Sequence, residues 1–343
     1  MKFDREEILA LRPVRLRSEK SKAVCVIIPT CQSAAVTATT IVALYHLHRE
    51  PGFEVLIIDN GGEDHKFVSQ TVLREAGVQI NYLAFTENLG SAGSQFVGFH
   101  HALSEGYEVL IFSDNDAMLE TPEGIGQLVA ALETCDLVLP ANRARRGVPR
   151  QLPLESSFHY LTLGAETARK IGAPDPFFFL YGDDVEFTLR AVQLGLTICE
   201  LPDVEVTHWL LKPAMLANQS RYLAARNYAY LACQSRIGLF FRVRFFVFLL
   251  LLVLVETLHG LQLKDASLPL AVLRGLGAVG MGRLDMSVRP ARFSYEWWKP
   301  VGEEKFGAFD LAPLKNRILL RKLYRVPDLS GGVAYLRRVD PSD

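Results

Sequence analysis

Val24-Cys25-Val26-Ile27-Ile28, stopped by Pro29-Thr30, is a continuous apolar run, and its plan recurs from Glu54 to Asp59, Ile80 to Phe85 and Glu108 to Ser113. Runs that do not alternate with polar residues belong to strands buried on both faces, the habit of parallel sheets. Between them, Val36 to Leu47, His65 to Ala76 and Ser91 to Glu105 have helical composition. Strand and helix alternating at this spacing predict an α/β fold from Ala23 to about Trp209. Ligands of such open sheets sit beyond the carboxyl ends of the strands. Here those ends are Pro29-Thr30, Asp59-Asn60 and Asp114-Asn115-Asp116.

The chain has 343 residues, enough for two domains at ~150 residues each. Apolar residues make up 49% and charged residues 22%, which excludes a disordered tail and a multi-span membrane protein. The net charge of −1 conceals an asymmetry: residues 1–220 carry 18 Lys+Arg against 28 Asp+Glu, and residues 221–343 carry 19 against 10. An acidic front half argues against nucleic acid as a partner, and the basic back half favours an anionic surface. Five scattered cysteines (Cys25, Cys31, Cys135, Cys199, Cys233) form no C-x-x-C pair, so unpaired thiols and a reducing compartment are expected. Met1 to Lys20 mixes charges without an apolar core, so no secretory signal peptide is expected.

Past Trp209 the pattern changes. Arg221 to Arg236 reads as a helix, and Phe245 to Val255 gives eleven uninterrupted apolar residues preceded by Arg236, Arg242 and Arg244. At ~1.5 Å per residue that run spans roughly half of a ~30 Å hydrocarbon core. A second apolar stretch, Leu268 to Leu284, carries Arg274 and Arg283, and Trp297-Trp298 stand beside Lys299. Monotopic attachment to a membrane is the expected role. A core helix packed on the front domain is the alternative.

Five motifs have chemical as well as structural readings. Asp114-Asn115-Asp116 is either a solvated turn or a pair of hard oxygen ligands for Mg²⁺ or Mn²⁺. Asp59-Asn60-Gly61-Gly62 is either an ordinary turn or a carboxylate facing a nucleotide. Asn88-Leu89-Gly90-Ser91-Ala92-Gly93, then Gly98, opens a helix; its glycines serve close packing or bring N–H groups to a phosphate. In Gly182-Asp183-Asp184-Val185-Glu186, Asp183 is expected as helix N-cap, with Glu186 reaching back to it or pairing with Arg190. Asp184 has no such structural reading. His208 closes a short β-like run, Val204 to Thr207, where it is either structural or completes a metal site.

In this order, these pieces resemble family 2 glycosyltransferases with the GT-A fold, over roughly residues 22–236. The first strand, Glu54 to Gly62, Asn88 to Gly93, Asp114 to Asp116, Tyr181 to Arg190, Thr207-His208-Trp209 and the Arg221-Tyr222 to Arg226-Asn227 segment carry the resemblance. The Gly-Asp-Asp-Val-Glu-Phe core looks most like galactofuranosyltransferases, with bacterial rhamnosyltransferases close behind. The resemblance implies a mostly parallel GT-A sheet with flanking helices in residues 22–210, after an N-terminal extension at 1–21, and a helical, membrane-associating region at 211–343. It also implies inverting transfer from a UDP- or dTDP-sugar to a hydroxyl of a cell-surface glycan or lipid-linked acceptor, on the cytoplasmic membrane face. Pro29, Thr30, Asp59, Asn88, Gly90, Asp114 and Asn115 would bind the donor; Asp114, Asp116 and His208 would hold Mn²⁺ or Mg²⁺, with Asp116 foremost. Asn115 stands where many galactofuranosyltransferases have a third acid. Asp184 would be the general base, with Asp183 able to do the same in principle. A non-catalytic nucleotide-sugar binder is the alternative. A nucleotidyltransferase is disfavoured because Thr30-Cys31-Gln32-Ser33-Ala34-Ala35 lacks basic residues.

Overall fold

The structure is a computed structural model describing residues 14–16, 23–48, 52–60, 64–86, 88–142, 157–208, 217–234, 237–263 and 266–280. Most of the N-terminal extension, Gly61-Gly62, Trp209, Arg236, Arg283 and Trp297-Trp298-Lys299 lie outside the described residues.

Nine strands form one sheet: β1 (Val14–Leu16), β2 (Val24–Thr30), β3 (Phe53–Asn60), β4 (Asn81–Phe85), β5 (Val109–Phe112), β6 (Ala117–Leu119), β7 (Leu137–Asn142), β8 (Leu161–Gly164) and β9 (Ile198–His208). Their spatial order is β1-β4-β3-β2-β5-β8-β7-β9-β6. The block β4-β3-β2-β5 is parallel throughout. Beyond β5 the pairing is mixed, with β8 antiparallel to both β5 and β7, β9 parallel to β7, and β6 antiparallel to β9.

The continuous apolar runs are explained by cover on both faces. All seven residues of β2 and all eight of β3 are buried. Because side chains alternate across a strand, Cys25 and Ile27 join Leu56 and Ile58 in one core, while Val24, Val26 and Ile28 join Val55 and Ile57 in the other. Helices α1 (Ala34–Leu47) and α2 (Asp64–Ala76) cover the second face, and α3 (Gly90–Ser104) covers the first. Helix α3 lies so close to β2 that a Cβ on Gly98 would sit 2.3 Å from Ile27 Cγ2. Three further helices, α4 (Gly124–Ala130), α5 (Ala165–Ile171) and α6 (Asp183–Gln193), complete the layers.

Against the expectation of unpaired thiols, Cys135 and Cys199 are disulfide-bonded. The β7–β9 ladder sets Leu137 beside Ile198, which brings the two cysteines to 6.1 Å between Cα atoms across 64 residues of sequence.

Helices α7 (Ala217–Cys233), α8 (Leu239–Leu263) and α9 (Ser267–Gly280) follow. Among the described residues, no helix is long and apolar enough to cross a membrane. Helix α8 packs one side on the front domain and leaves apolar residues of the other side exposed. Phe245 is buried with Ala92, Phe178, Val185 and Leu189 of the front domain, whereas Phe246, Leu250, Leu254 and Leu258 are between 45% and 57% exposed. Buried Glu256 ties α8 to α7 through Arg221, Nε to Oε1 2.5 Å.

Candidate active site

At the carboxyl ends of β2 and β3, Thr30 and Asp59 are register partners. Thr30 Oγ1 donates to Asp64 Oδ2 (2.8 Å), which also accepts the Ser33 N–H (2.8 Å). Asn115 Nδ2 donates to Ser33 Oγ (2.5 Å) and Thr37 Oγ1 (3.0 Å). Asn115 therefore braces the end of β2, a job for which an amide donor suits and a third acid does not. Pro29 lies in β2 beside Ile58. Asp59 is fully buried; its Oδ2 accepts from His65 N–H (3.0 Å) and meets His65 Nδ1 at 2.6 Å. Asp59 Oδ1 has no partner among the described residues. A buried carboxylate oxygen left unpaired is costly, which makes this atom a candidate to receive a donor group.

Asn60 at the end of β3 fastens the start of α3, accepting from Leu89 N–H (3.2 Å) and Ser94 Oγ (2.8 Å). Asn88 Oδ1 accepts from Gly90 N–H (2.9 Å). Gly90 has φ +71°, and a Cβ there would lie 2.2 Å from Phe179 O. Close packing thus accounts for this glycine, as the structural reading of the motif has it.

The third strand end assembles by register. Strand β5 runs antiparallel to β8 with Phe112 opposite Leu161. Counting two residues onward from Phe112 and two back from Leu161 brings Asp114 to His159. Their contact is Oδ2 to Nε2, 3.0 Å. Strand β6 runs antiparallel to β9 with Ala117 opposite His208, so Asp116 falls beside that histidine, Oδ1 to Nε2 2.9 Å. His208 Nε2 is also 4.0 Å from Asp114 Oδ2, and the two imidazoles pack at a tilt of 47° with centroids 4.1 Å apart.

Asp114, His159 and His208 present ligand atoms within 4.8 Å of one another. One carboxylate and two imidazoles at that separation could hold a single divalent cation. Two of the expected ligands, Asp114 and His208, are in the cluster; Asp116 stands on its edge through His208. The sequence reading missed His159. The only signal for it was a histidine just ahead of the β8 run, and the following residue, Tyr160, has φ +58°. Such backbone outliers in bulky residues gather at functional sites. Burial raises the Asp114 carboxyl, but the His159 hydrogen bond and the neighbouring His159 and His208 charges outweigh it, leaving it below the ordinary value.

The start of α6 departs from the expected cap. Its N-cap is Gly182, with φ +83° and no side-chain capping bond. Asp183 is the first helical residue and is 4% exposed, with Oδ2 unpartnered among the described residues. Burial, then the charges of Asp184 and Asp114, push its carboxyl well above the ordinary range. Asp184 is half-buried, and its Oδ1 accepts from Val185 N–H (2.7 Å). Glu186 pairs with Arg190 (Oε2 to Nε 2.9 Å), and Arg190 also donates to Ile171 O and Ala173 O. Two aspartates at one helix start thus meet different surroundings, one dry and one reachable from solvent.

The carboxyl edge of this α/β sheet of the GT-A type thus carries an acidic–imidazole cluster and a second acidic pair. Residues 25–185 match the family model Glycosyl transferase family 2, and this segment is a family 2 domain. Among curated proteins, the chain is 27% identical to "Galactofuranosyltransferase GlfT1" of Mycolicibacterium smegmatis, over 51% of this chain and 67% of that protein. It is 26% identical to "Undecaprenyl-phosphate mannosyltransferase" of Micrococcus luteus, over 44% of this chain and 71% of that one. The GlfT1 of Mycobacterium tuberculosis is matched over 60% of its length; the chain therefore spans about three-fifths to two-thirds of these galactofuranosyltransferases. Among solved structures, a mannosyltransferase of Pyrobaculum calidifontis in complex with GDP-Man and Mn²⁺ has the same fold, at TM-score 0.52 and 16% identity, covering 84% of this chain and 83% of that one.

Proposed function

We propose that this protein is an inverting, metal-dependent glycosyltransferase that moves a sugar from a nucleoside diphosphate-sugar to a hydroxyl of a cell-surface glycan or lipid-linked acceptor, releasing the nucleoside diphosphate. The observation that carries the reading is the Asp114–His159–His208 cluster beside Asp183 and Asp184, on the edge where the unpaired Asp59 oxygen also lies. Asp59 and Thr30 bind the nucleoside, with Pro29, Asn88, Gly90, Asp114 and Asn115 shaping the donor site. Asp114, His159 and His208 hold Mn²⁺ or Mg²⁺, and Asp116 orients His208. When bound, the cation supplies Lewis-acid stabilisation of the leaving diphosphate.

Asp184 takes the proton of the acceptor hydroxyl. Its reachable position allows an acceptor within hydrogen-bond distance, and the positive end of the α6 dipole favours its ionised form. Buried Asp183 instead keeps a proton and fixes the turn. The sugar is galactofuranose from UDP-galactofuranose, in keeping with the GlfT1 relatives; rhamnose from dTDP-rhamnose is the second reading. A screen of UDP-, dTDP- and GDP-sugars with Mn²⁺ is expected to show turnover. Absence of both turnover and metal-dependent nucleotide binding would overturn the enzyme reading.

The open apolar face of α8, beside Arg242 and Arg244, attaches the protein to an anionic membrane on its cytoplasmic side. Full-length protein should sediment with anionic liposomes, and Phe246→Glu/Leu250→Glu should release it.

A further inference from the structure

Arg226 and Asn227 are adjacent on α7, 3% and 0% exposed. Arg226 Nη2 donates to Phe177 O (2.9 Å) and Phe178 O (3.0 Å), and its Nε donates to Asn227 Oδ1 (2.8 Å). Its guanidinium also lies 4.8 Å from the centroid of the Phe177 ring. Asn227 Nδ2 donates to Phe178 O (2.9 Å), Leu180 O (2.9 Å) and Tyr181 O (2.7 Å). The one carbonyl these two residues skip, Phe179 O, accepts from Ala92 N–H at the start of α3 (3.1 Å). The next, Gly182 O, takes the first turn bond of α6 from Glu186 N–H (2.9 Å).

Every carbonyl from residue 177 to 182 is thus held, and the segment needs holding. Phe179 and Tyr181 have φ of +62° and +70°, unfavourable for side chains of that size. Strained backbone persists only where its surroundings over-determine it. Among the described residues, the Arg226 hydrogen bonds reach no carboxylate, so the buried cation lacks an ion pair to offset its desolvation. An apolar residue would pack α7 at less cost. What it would not do is fix the direction of consecutive carbonyls.

We propose that Arg226 and Asn227 are positioning residues, which hold the Phe177–Gly182 segment so that the first turn of α6 and the start of α3 keep their relative placement. The C-terminal helices are then part of the catalytic unit and not only an attachment device. This rests on the proposed transfer reaction for its kinetic consequence, but not for its structural one.

The test compares full-length wild type with Asn227→Ala and Arg226→Lys; the lysine keeps the charge but cannot span two carbonyls and an amide at once. Hydrogen exchange of the amides of 179–186 and of Ala92 should quicken by about tenfold or more, with β2 and β3 unchanged. With a donor that turns over, kcat should fall ~10–100-fold while donor KM stays within about twofold. If Asn227→Ala does not fold, Arg226→Lys provides the same readouts. Unchanged exchange in a folded variant overturns the proposal, and so does faster exchange with undiminished kcat. Should the wild type turn over no donor, the transfer reading fails by itself, and the exchange measurement still decides whether the clamp exists.

Discussion

The two halves of the sheet treat their polar strand ends in opposite ways. Where β2 and β3 end, Thr30, Ser33, Thr37, Asp64 and Asn115 bond to one another. Only Asp59 Oδ1 is left over. Where β5 and β9 end and β8 begins, two histidines and three aspartates crowd together, and burial, with its neighbours' charge, pushes the Asp183 carboxyl well above the ordinary range. The first arrangement satisfies its polar groups within the protein except for that one Asp59 oxygen. The second concentrates negative charge that a cation would relieve. On the proposed function, the parallel half would supply shape and the mixed half chemistry.

The strongest way to break this division is at α6. Asp184→Asn keeps the shape and removes the basicity, so kcat should fall ~10²–10⁴-fold with donor and metal affinity nearly intact. If Asp183→Asn has that effect and Asp184→Asn does not, the base is Asp183. Next comes the cation cluster. Asp114→Ala should abolish Mn²⁺-dependent UDP or dTDP binding in calorimetry, and His159→Ala should weaken it ~10–100-fold. Asp116→Ala should cost less than either; the reverse order would favour Asp116 as the direct ligand, as the sequence reading expected. Smallest is the effect in the parallel half. Asp64→Ala strands the Ser33 N–H and takes one acceptor from Thr30 Oγ1, and should cost about 1–3 kcal/mol in urea unfolding, with metal affinity unaltered. A loss of metal affinity there would show that this half is not separate from the chemistry.

The same division governs what could be read in advance. Strands β2 and β3 announce themselves because burial on both faces makes them continuously apolar. The helices between them begin within two residues of their expected starts. The Asp183-Asp184 pair was legible as a helix start, although the cap fell on Gly182, whose positive φ no composition rule reveals. In the mixed half, β6 and β8 have three and four residues, too few to show a period. His159 was therefore invisible as a functional residue: it reaches Asp114 through the β5–β8 register, which is a property of pairing and not of local sequence. The Cys135–Cys199 bond was hidden for the same reason.

Strand β6 sits at the edge of the sheet, and its ladder partner is β9, with Ala117 facing a residue 91 positions later. Contacts this distant in sequence form late, because the loop they close must lose its freedom before the pairing repays it. The segment carrying Asp114 and Asp116 thus waits for almost the whole domain before its far end is anchored. Until β9 is in place, Asp116 lacks its bond to His208. Completion of the last strand, and not collapse of the core, is the moment at which this fold acquires its acidic–imidazole cluster.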